Sequence, residues 1–236
     1  VLALPEDMLV ESVDVLDANR VTIPKNRPTK QSILDLEGLL TKSVNPLVVL
    51  GGSGWSERAC QQVQVFIENN NLPVGCSFRR QDLFDNHHPN YVGDIGIGIN
   101  PKLAQMVKES DLLLVIGARL GEMTTSGYTL IESPMPKQKL IHIHPGLNEL
   151  GRVFQGSLMI NSDIEEAVDA LVAMPDINVV WDQWQKRGND NYRENVIPTS
   201  SPGDVNLGEV MVVLRDLLPR NSCLLYTSDA ADDRGC

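Results

Sequence analysis

From Pro46 onward, short apolar runs rich in β-branched residues alternate with stretches whose apolar residues recur at three- and four-residue spacing. Such alternation folds as strand–helix units with parallel strands buried on both faces, because each helix carries the chain back over the sheet. Leu47 to Leu50 is the first run and ends at Gly51-Gly52-Ser53-Gly54. Ala59, Val63, Phe66 and Ile67 then mark one face of a helix that Asn69, Asn70 and Asn71 terminate. Pro73 to Cys76 reads as a second strand, and Ser77 to Gly98 as a long polar, glycine-bearing connection of the kind that carries function. Asn100 before Pro101 predicts an N-cap with proline at the first helical position, and Leu103, Met106 and Val107 supply that helix's apolar face down to Glu109. Asp111 to Gly117 reads as a buried central strand, with further strands at Lys139 to His144 and Ser157 to Ile160. Asp163 opens a helix with Ile164, Ala167, Val168, Leu171 and Val172 on one face, and Pro175 closes the unit. The expected class is α/β, a doubly wound parallel sheet.

The flanks follow other patterns. Residues 1–30 read as a strand that begins mid-domain, followed by a linker, and they lack the basic start and apolar core of a signal peptide. After a central unit at 31–175, residues 176–205 are polar, include Pro198 and Pro202-Gly203, and hold one helix candidate around Trp181 to Arg193; this is the pattern of an interdomain linker. Leu207 to Leu218, within a segment 206–222, predicts an amphipathic helix with no partner in the residues that remain, so a further domain is expected to start there. Residues 223–236 continue neither pattern and resemble translated adapter sequence, a non-native tail.

With 236 residues, 42% of them hydrophobic, the chain suffices for one substantial core plus flanking pieces. Its formal net charge of -11 opposes binding to a phosphate backbone, which needs a clustered basic face. No apolar run approaches the roughly 20 residues that span a bilayer, so neither nucleic acid nor membrane is an expected partner. Cys60, Cys76, Cys223 and Cys236 form no closely spaced metal-binding pair, and a reducing, cytoplasmic setting is the simplest expectation.

Several residues have types and positions suited to ligand contact. Gly51, Gly52 and Gly54 follow the first strand, where they either let backbone amides approach a diphosphate or merely make the tight turn of an αβ unit. Arg79 and Arg80 can clamp a phosphate or pair with Asp82 or Asp85. Gly93, Gly96 and Gly98 permit close approach of a ligand or of the sheet. Arg119, after Gly117-Ala118, ends the central strand at the edge where such sheets bind ligands; a structural ion pair is its other reading. His142 and His144 share a strand face and His87 and His88 a loop, but the remaining ligands of a zinc site are missing. Trp181, Trp184 and Tyr192 have the spacing of a packed helix face.

Taken together, Ala3-Leu-Pro-Glu-Asp-Met8, Pro46-Leu-Val-Val-Leu-Gly-Gly-Ser-Gly54, Pro89-Asn-Tyr-Val-Gly93, Asp111-Leu-Leu-Leu-Val-Ile-Gly-Ala-Arg119 and Ile141-His-Ile-His144 resemble the thiamine-diphosphate-dependent enzymes, in particular acetolactate synthases. The resemblance covers most of the chain up to about Ser222 and identifies it as the central of three α/β domains, flanked by the end of a pyrimidine-binding domain and the first helix of a diphosphate-binding domain. It implies a six-stranded, Rossmann-like parallel sheet of the type that carries NAD or FAD. In different members this domain holds FAD, ADP or nothing.

The resemblance further implies that Gly93 and Gly96 lie along the nucleotide, and that His144 and Asn148 stand where other members place aspartates beside a ribose. Acetolactate synthases usually continue the Arg119 motif with phenylalanine and two aspartates; here the chain reads Leu120-Gly-Glu-Met123. The implied reaction makes or cleaves a C–C bond beside a 2-oxo acid carbonyl, with thiamine diphosphate and magnesium, in a homodimer or homotetramer. No catalytic residue is expected in this chain: the cofactor glutamate would precede Val1 and the magnesium motif would follow Ser222, so the piece alone would be inactive. The rivals are a 2-oxo acid decarboxylase with an empty central site, a stand-alone nucleotide-binding or regulatory module, and an NAD-dependent deacylase, against which the scattered cysteines argue.

Overall fold

The computed structural model describes residues 3–177, 181–219 and 222. Six strands, β1 (Pro46–Leu50), β2 (Val74–Ser77), β3 (Tyr91–Ile95), β4 (Leu112–Ile116), β5 (Lys139–His144) and β6 (Leu158–Asn161), form one parallel sheet in the order β3-β2-β1-β4-β5-β6. This is the order of dinucleotide-binding sheets, with its reversal between β1 and β4. The β1 and β4 runs are buried at every position. Period-two alternation then sends Val48, Leu50, Leu112, Leu114 and Ile116 into one core and Leu47, Val49, Leu113 and Val115 into the other.

Helices α1 (Lys30–Thr41), α2 (Glu57–Asn69) and α4 (Ile164–Val172) cover the first face, while α3 (Pro101–Glu109) and α5 (Asp182–Asn195) cover the second. Local chemistry starts these helices. The Ser56 hydroxyl accepts from Ala59 N and the Asn100 side-chain Oδ1 from Lys102 N, caps of the kind worth about 1 kcal/mol each. The Asp111 carboxylate accepts from Ser43 Oγ and from the backbone amides of Val44 and Asn45 at 2.6–2.8 Å, so the turn into β1 is fixed to the start of β4.

Three segments differ from the sequence expectation. Residues 3–29 contain no strand: apart from a single 3-10 turn at Met8–Val10 they are extended or irregular, and Leu9, Val10 and Leu16 are exposed. An apolar run forms a strand only against a neighbouring strand, and none here is available to it. Next, the connection from Ser77 to Gly98 contains β3, the edge strand paired with β2. Gly93 and Asp94 interrupt its apolar pattern, which is why it reads as loop. Finally, α1 opens the central unit, although its weakly patterned sequence gave no expectation of a helix.

Within the stretch expected as a linker, α5 is packed onto the sheet. Trp181 and Trp184 are buried, their indoles donating to the Ser43 and Pro46 carbonyls at 3.1 and 2.8 Å. Asn189 Nδ2 donates to the Tyr91 carbonyl at 2.8 Å, and Gly188 lets the helix press against Val92 and Met106. In this way α5 covers the β3 edge, which would otherwise present unpaired backbone. The predicted amphipathic helix is α6 (Leu207–Leu217), none of whose residues is buried. The proposed tail at 223–236 lies outside the described residues. Among the described residues no helix is long and apolar enough to cross a membrane.

Candidate functional site

In a sheet of this order ligands meet the carboxyl ends of the strands where the winding reverses. Gly51, Gly52 and Gly54 follow β1, Gly117 to Arg119 follow β4, and His144 ends β5 with Asn148 in the turn after it, so three adjoining strand ends bring these residues together. Arg79 follows β2 and Gly96 follows β3, farther along the same edge. Gly93 is not brought to the edge: it lies within β3, where a β-carbon would sit 3.2 Å from Leu103 and 3.4 Å from Tyr192.

The glycines at the reversal are surrounded by protein. A β-carbon on Gly51 would come within 2.0 Å of Ser77 Oγ and 2.8 Å of the Ala118 β-carbon; one on Gly52 would lie 1.9 Å from the Gly117 carbonyl oxygen. Gly51 N donates to the Ile116 carbonyl at 3.1 Å, Gly117 N to the Ile143 carbonyl at 2.8 Å, and the Trp55 indole to the Gly51 carbonyl at 2.8 Å. Gly54, at φ +87°, has only Ile164 nearby, at 3.8 Å. Gly96 packs on Phe78, 2.8 Å from where its β-carbon would stand.

The two arginines differ. Arg119 is exposed and its Nε lies 3.2 Å from the Glu149 carboxylate, which Arg152 also meets at 2.9 Å. This ties Arg119 to the turn that carries Asn148, itself exposed. Arg79 is exposed, in the left-handed region at φ 61°, with its guanidinium 5.1 Å from the Phe78 ring centroid. The neighbouring Arg80 pairs with Asp82 at 3.0 Å, and its hydrogen bond holds that carboxyl below the usual range.

His144 Nδ1 accepts from Gly146 N at 2.9 Å, closing the turn after β5. The His142 ring, 5.7 Å away, is buried and contacts the Ala118 carbonyl through Nε2 at 2.9 Å. Burial pushes His142 down to about 4, so it is neutral near pH 7 and acts as the N–H donor in that bond. The space lined by Leu120, His142, Glu149 and Phe154 is about 10 Å³, room for a single water at most. Among the described residues no group of three or more His, Cys, Asp or Glu can hold a metal. A cleft of about 1420 Å³ lies between α5 and α6, lined by Asn86, Tyr192, Val196, Met211 and Arg215.

Sequence reasoning passed over Trp55, Glu149 and Lys25. Trp55 directly follows the glycine loop, and an indole immediately before a helix N-cap is a usable signal for a cap over that loop. Lys25 carries no local signal, because its partner lies 140 residues away, and the local Arg152 pair of Glu149 gives no hint of its contact with Arg119, 30 residues away.

Comparison with known proteins agrees with this architecture. The family profile described as "Thiamine pyrophosphate enzyme, central domain" matches residues 33–171. The 3D-(3,5/4)-trihydroxycyclohexane-1,2-dione hydrolase of Bacillus thuringiensis (strain Al Hakam) is 25% identical over 175 residues, covering 72% of this chain and 27% of that protein. The enzyme of the same name from Geobacillus thermodenitrificans (strain NG80-2) is 29% identical over 136 residues, 56% of this chain and 21% of that protein. The chain thus spans about a quarter of the length of the curated relatives it matches. With its six-stranded parallel sheet and a profile match that takes in all six strands, the chain belongs to the thiamine pyrophosphate enzymes as their central domain.

Proposed function

We propose that the intact protein is a thiamine-diphosphate- and magnesium-dependent enzyme that breaks or makes a C–C bond beside a carbonyl, and that this chain is the domain bracing its two cofactor-binding neighbours. The family match over residues 33–171 carries the reading. Thiamine diphosphate supplies a nucleophilic carbon and an electron sink for the bond that breaks. The residues of this chain hold neither the cofactor nor its metal; they position the domains that do.

Two substrate classes follow. The names of the relatives favour hydrolytic cleavage of a polyhydroxylated cyclic 1,2-dione, whose adjacent carbonyls resemble the carbonyl–carboxyl pair of a 2-oxo acid. The departure at Leu120 to Met123 from the acetolactate synthase pattern favours it too. The second reading is an acetolactate-synthase-like transferase or lyase acting on 2-oxo acids, as a cytoplasmic homo-oligomer.

A nucleotide such as FAD or ADP fits the glycine loop poorly, since the Gly51 and Gly117 amides are already bonded within the protein. The exposed part of the edge fits better: Arg79 and Arg119 offer guanidinium groups to phosphates, and His144 and Asn148 offer polar groups to a ribose, with Gly54 and Gly96 leaving backbone close by.

Turnover of cyclohexane-1,2-dione and of pyruvate by the full-length protein, with and without thiamine diphosphate and magnesium, tests the reading. Cofactor-dependent ring opening is the expected result. Consumption of pyruvate alone selects the synthase-like branch, and no cofactor-dependent turnover of either overturns the enzyme assignment.

A further inference from the structure

The Ala118 carbonyl, just past the end of β4, is held by a side chain of the neighbouring strand. His142, buried on β5, meets it through Nε2 at 2.9 Å, and because a carbonyl oxygen can only accept, Nε2 carries the proton. The next residue of β5, Ile143, accepts from Gly117 N through its carbonyl at 2.8 Å. Thus β5 fixes the turn after β4 at successive residues, Gly117 by backbone and Ala118 by imidazole. Ala118 and Leu120 are buried, and Arg119 between them is exposed.

The peptide bond from Ala118 to Arg119 is trans and planar, so its N–H points opposite its carbonyl. With the carbonyl drawn to β5, the Arg119 amide points away from β5, and in the strand order that is the side of β1 and its glycine loop. Unlike the amides of Gly51 and Gly117, it makes no hydrogen bond to any of the described residues. The Arg119 guanidinium shares the Glu149 carboxylate with Arg152, at 3.2 and 2.9 Å, which leaves positive charge in surplus there. A free backbone donor and a guanidinium on one residue suit the oxygens of a phosphate.

We infer that His142 is a positioning residue: by holding the Ala118 carbonyl, its Nε2–H aims the Arg119 amide at the reversal between β1 and β4, so that Arg119 meets a phosphate with backbone and side chain together. This rests on the reading above in which Arg119 takes a nucleotide phosphate, and it adds the residue on which that contact depends. The neutral ring that burial enforces has a single N–H, and Ala118 takes it.

Nitrogen NMR of the ligand-free chain tests the positioning. The wild type should show the Nε2–H tautomer of His142 and a single sharp Arg119 amide signal. His142→Leu, which keeps bulk and removes the donor, should shift or broaden that amide. His142→Gln, whose side-chain amide can stand in for Nε2–H, should restore it, with β1 and β2 amides unchanged in both variants as proof of folding. Binding of ADP and of inorganic pyrophosphate, followed by calorimetry, should weaken about tenfold in His142→Leu and less than about twofold in His142→Gln. An Nδ1–H tautomer in the wild type overturns the inference without any variant. So does a folded His142→Leu with wild-type Arg119 amide and affinity, or a His142→Gln no better than His142→Leu. A wild type that binds neither ligand overturns the phosphate contact at Arg119, while the amide signals still decide whether His142 aims that peptide.

Discussion

The Trp184 indole donates to the Pro46 carbonyl at 2.8 Å across 138 residues of chain, joining the last packed helix to the first residue of the first strand. Trp184 is also covered by the Arg187 guanidinium, 4.5 Å from its ring centroid. Removing a buried indole costs about 3–5 kcal/mol, against about 1 kcal/mol for the hydrogen bond alone. Trp184→Ala should therefore lower the urea midpoint strongly and Trp184→Phe only modestly. Equal midpoints for Trp184→Ala and wild type would mean that α5 is a tether and not part of the fold.

His142 gives the fold a defined acid sensitivity. Its folded value, about 4, lies below its ordinary 6.5 because burial penalises the charged ring. Between those limits the unfolded chain takes up a proton that the folded chain refuses, so stability falls as pH drops from 6.5 toward 4 and this contribution then levels off. The full span is on the order of 3 kcal/mol. Unfolding measured across pH 4–7 should show a shallower slope in His142→Gln than in wild type. Parallel slopes would place the acid sensitivity elsewhere.

Two glycines should respond to alanine in opposite directions. At Gly51 a methyl would overlap Ser77 Oγ, which can rotate away, but also the β-carbons of Ala118 and Ser77 at 2.8 and 2.9 Å, which cannot. Gly51→Ala should cost about 1–3 kcal/mol or more by overpacking. Gly38, inside α1, has nothing within 4 Å of a β-carbon, so Gly38→Ala should stabilise by about 0.5–1 kcal/mol through helix propensity. Thermal unfolding of the two variants checks both signs.

The central strands and their helices were legible because each is specified locally. β1 and β4 are buried on both faces, so the uninterrupted runs Leu47–Leu50 and Leu112–Ile116 carry their own assignment. The Asn100–Pro101 start of α3 likewise depends on adjacent residues alone. Legibility stopped where an element depends on a distant neighbour. Gly93 and Asp94 conceal β3, which exists because β2 and α5 flank it.

The sequence by itself determined the α/β class, the central parallel strands and the family resemblance, since apolar periodicity and caps act over a few residues. The tertiary structure decided which groups remain available for chemistry. It occupied the Gly51 and Gly117 amides, joined Arg119 to Glu149, and paired Lys25 with Glu165. Those outcomes depend on pairings between residues 26 to 140 positions apart, and no local pattern encodes which polar group a folded neighbour will satisfy.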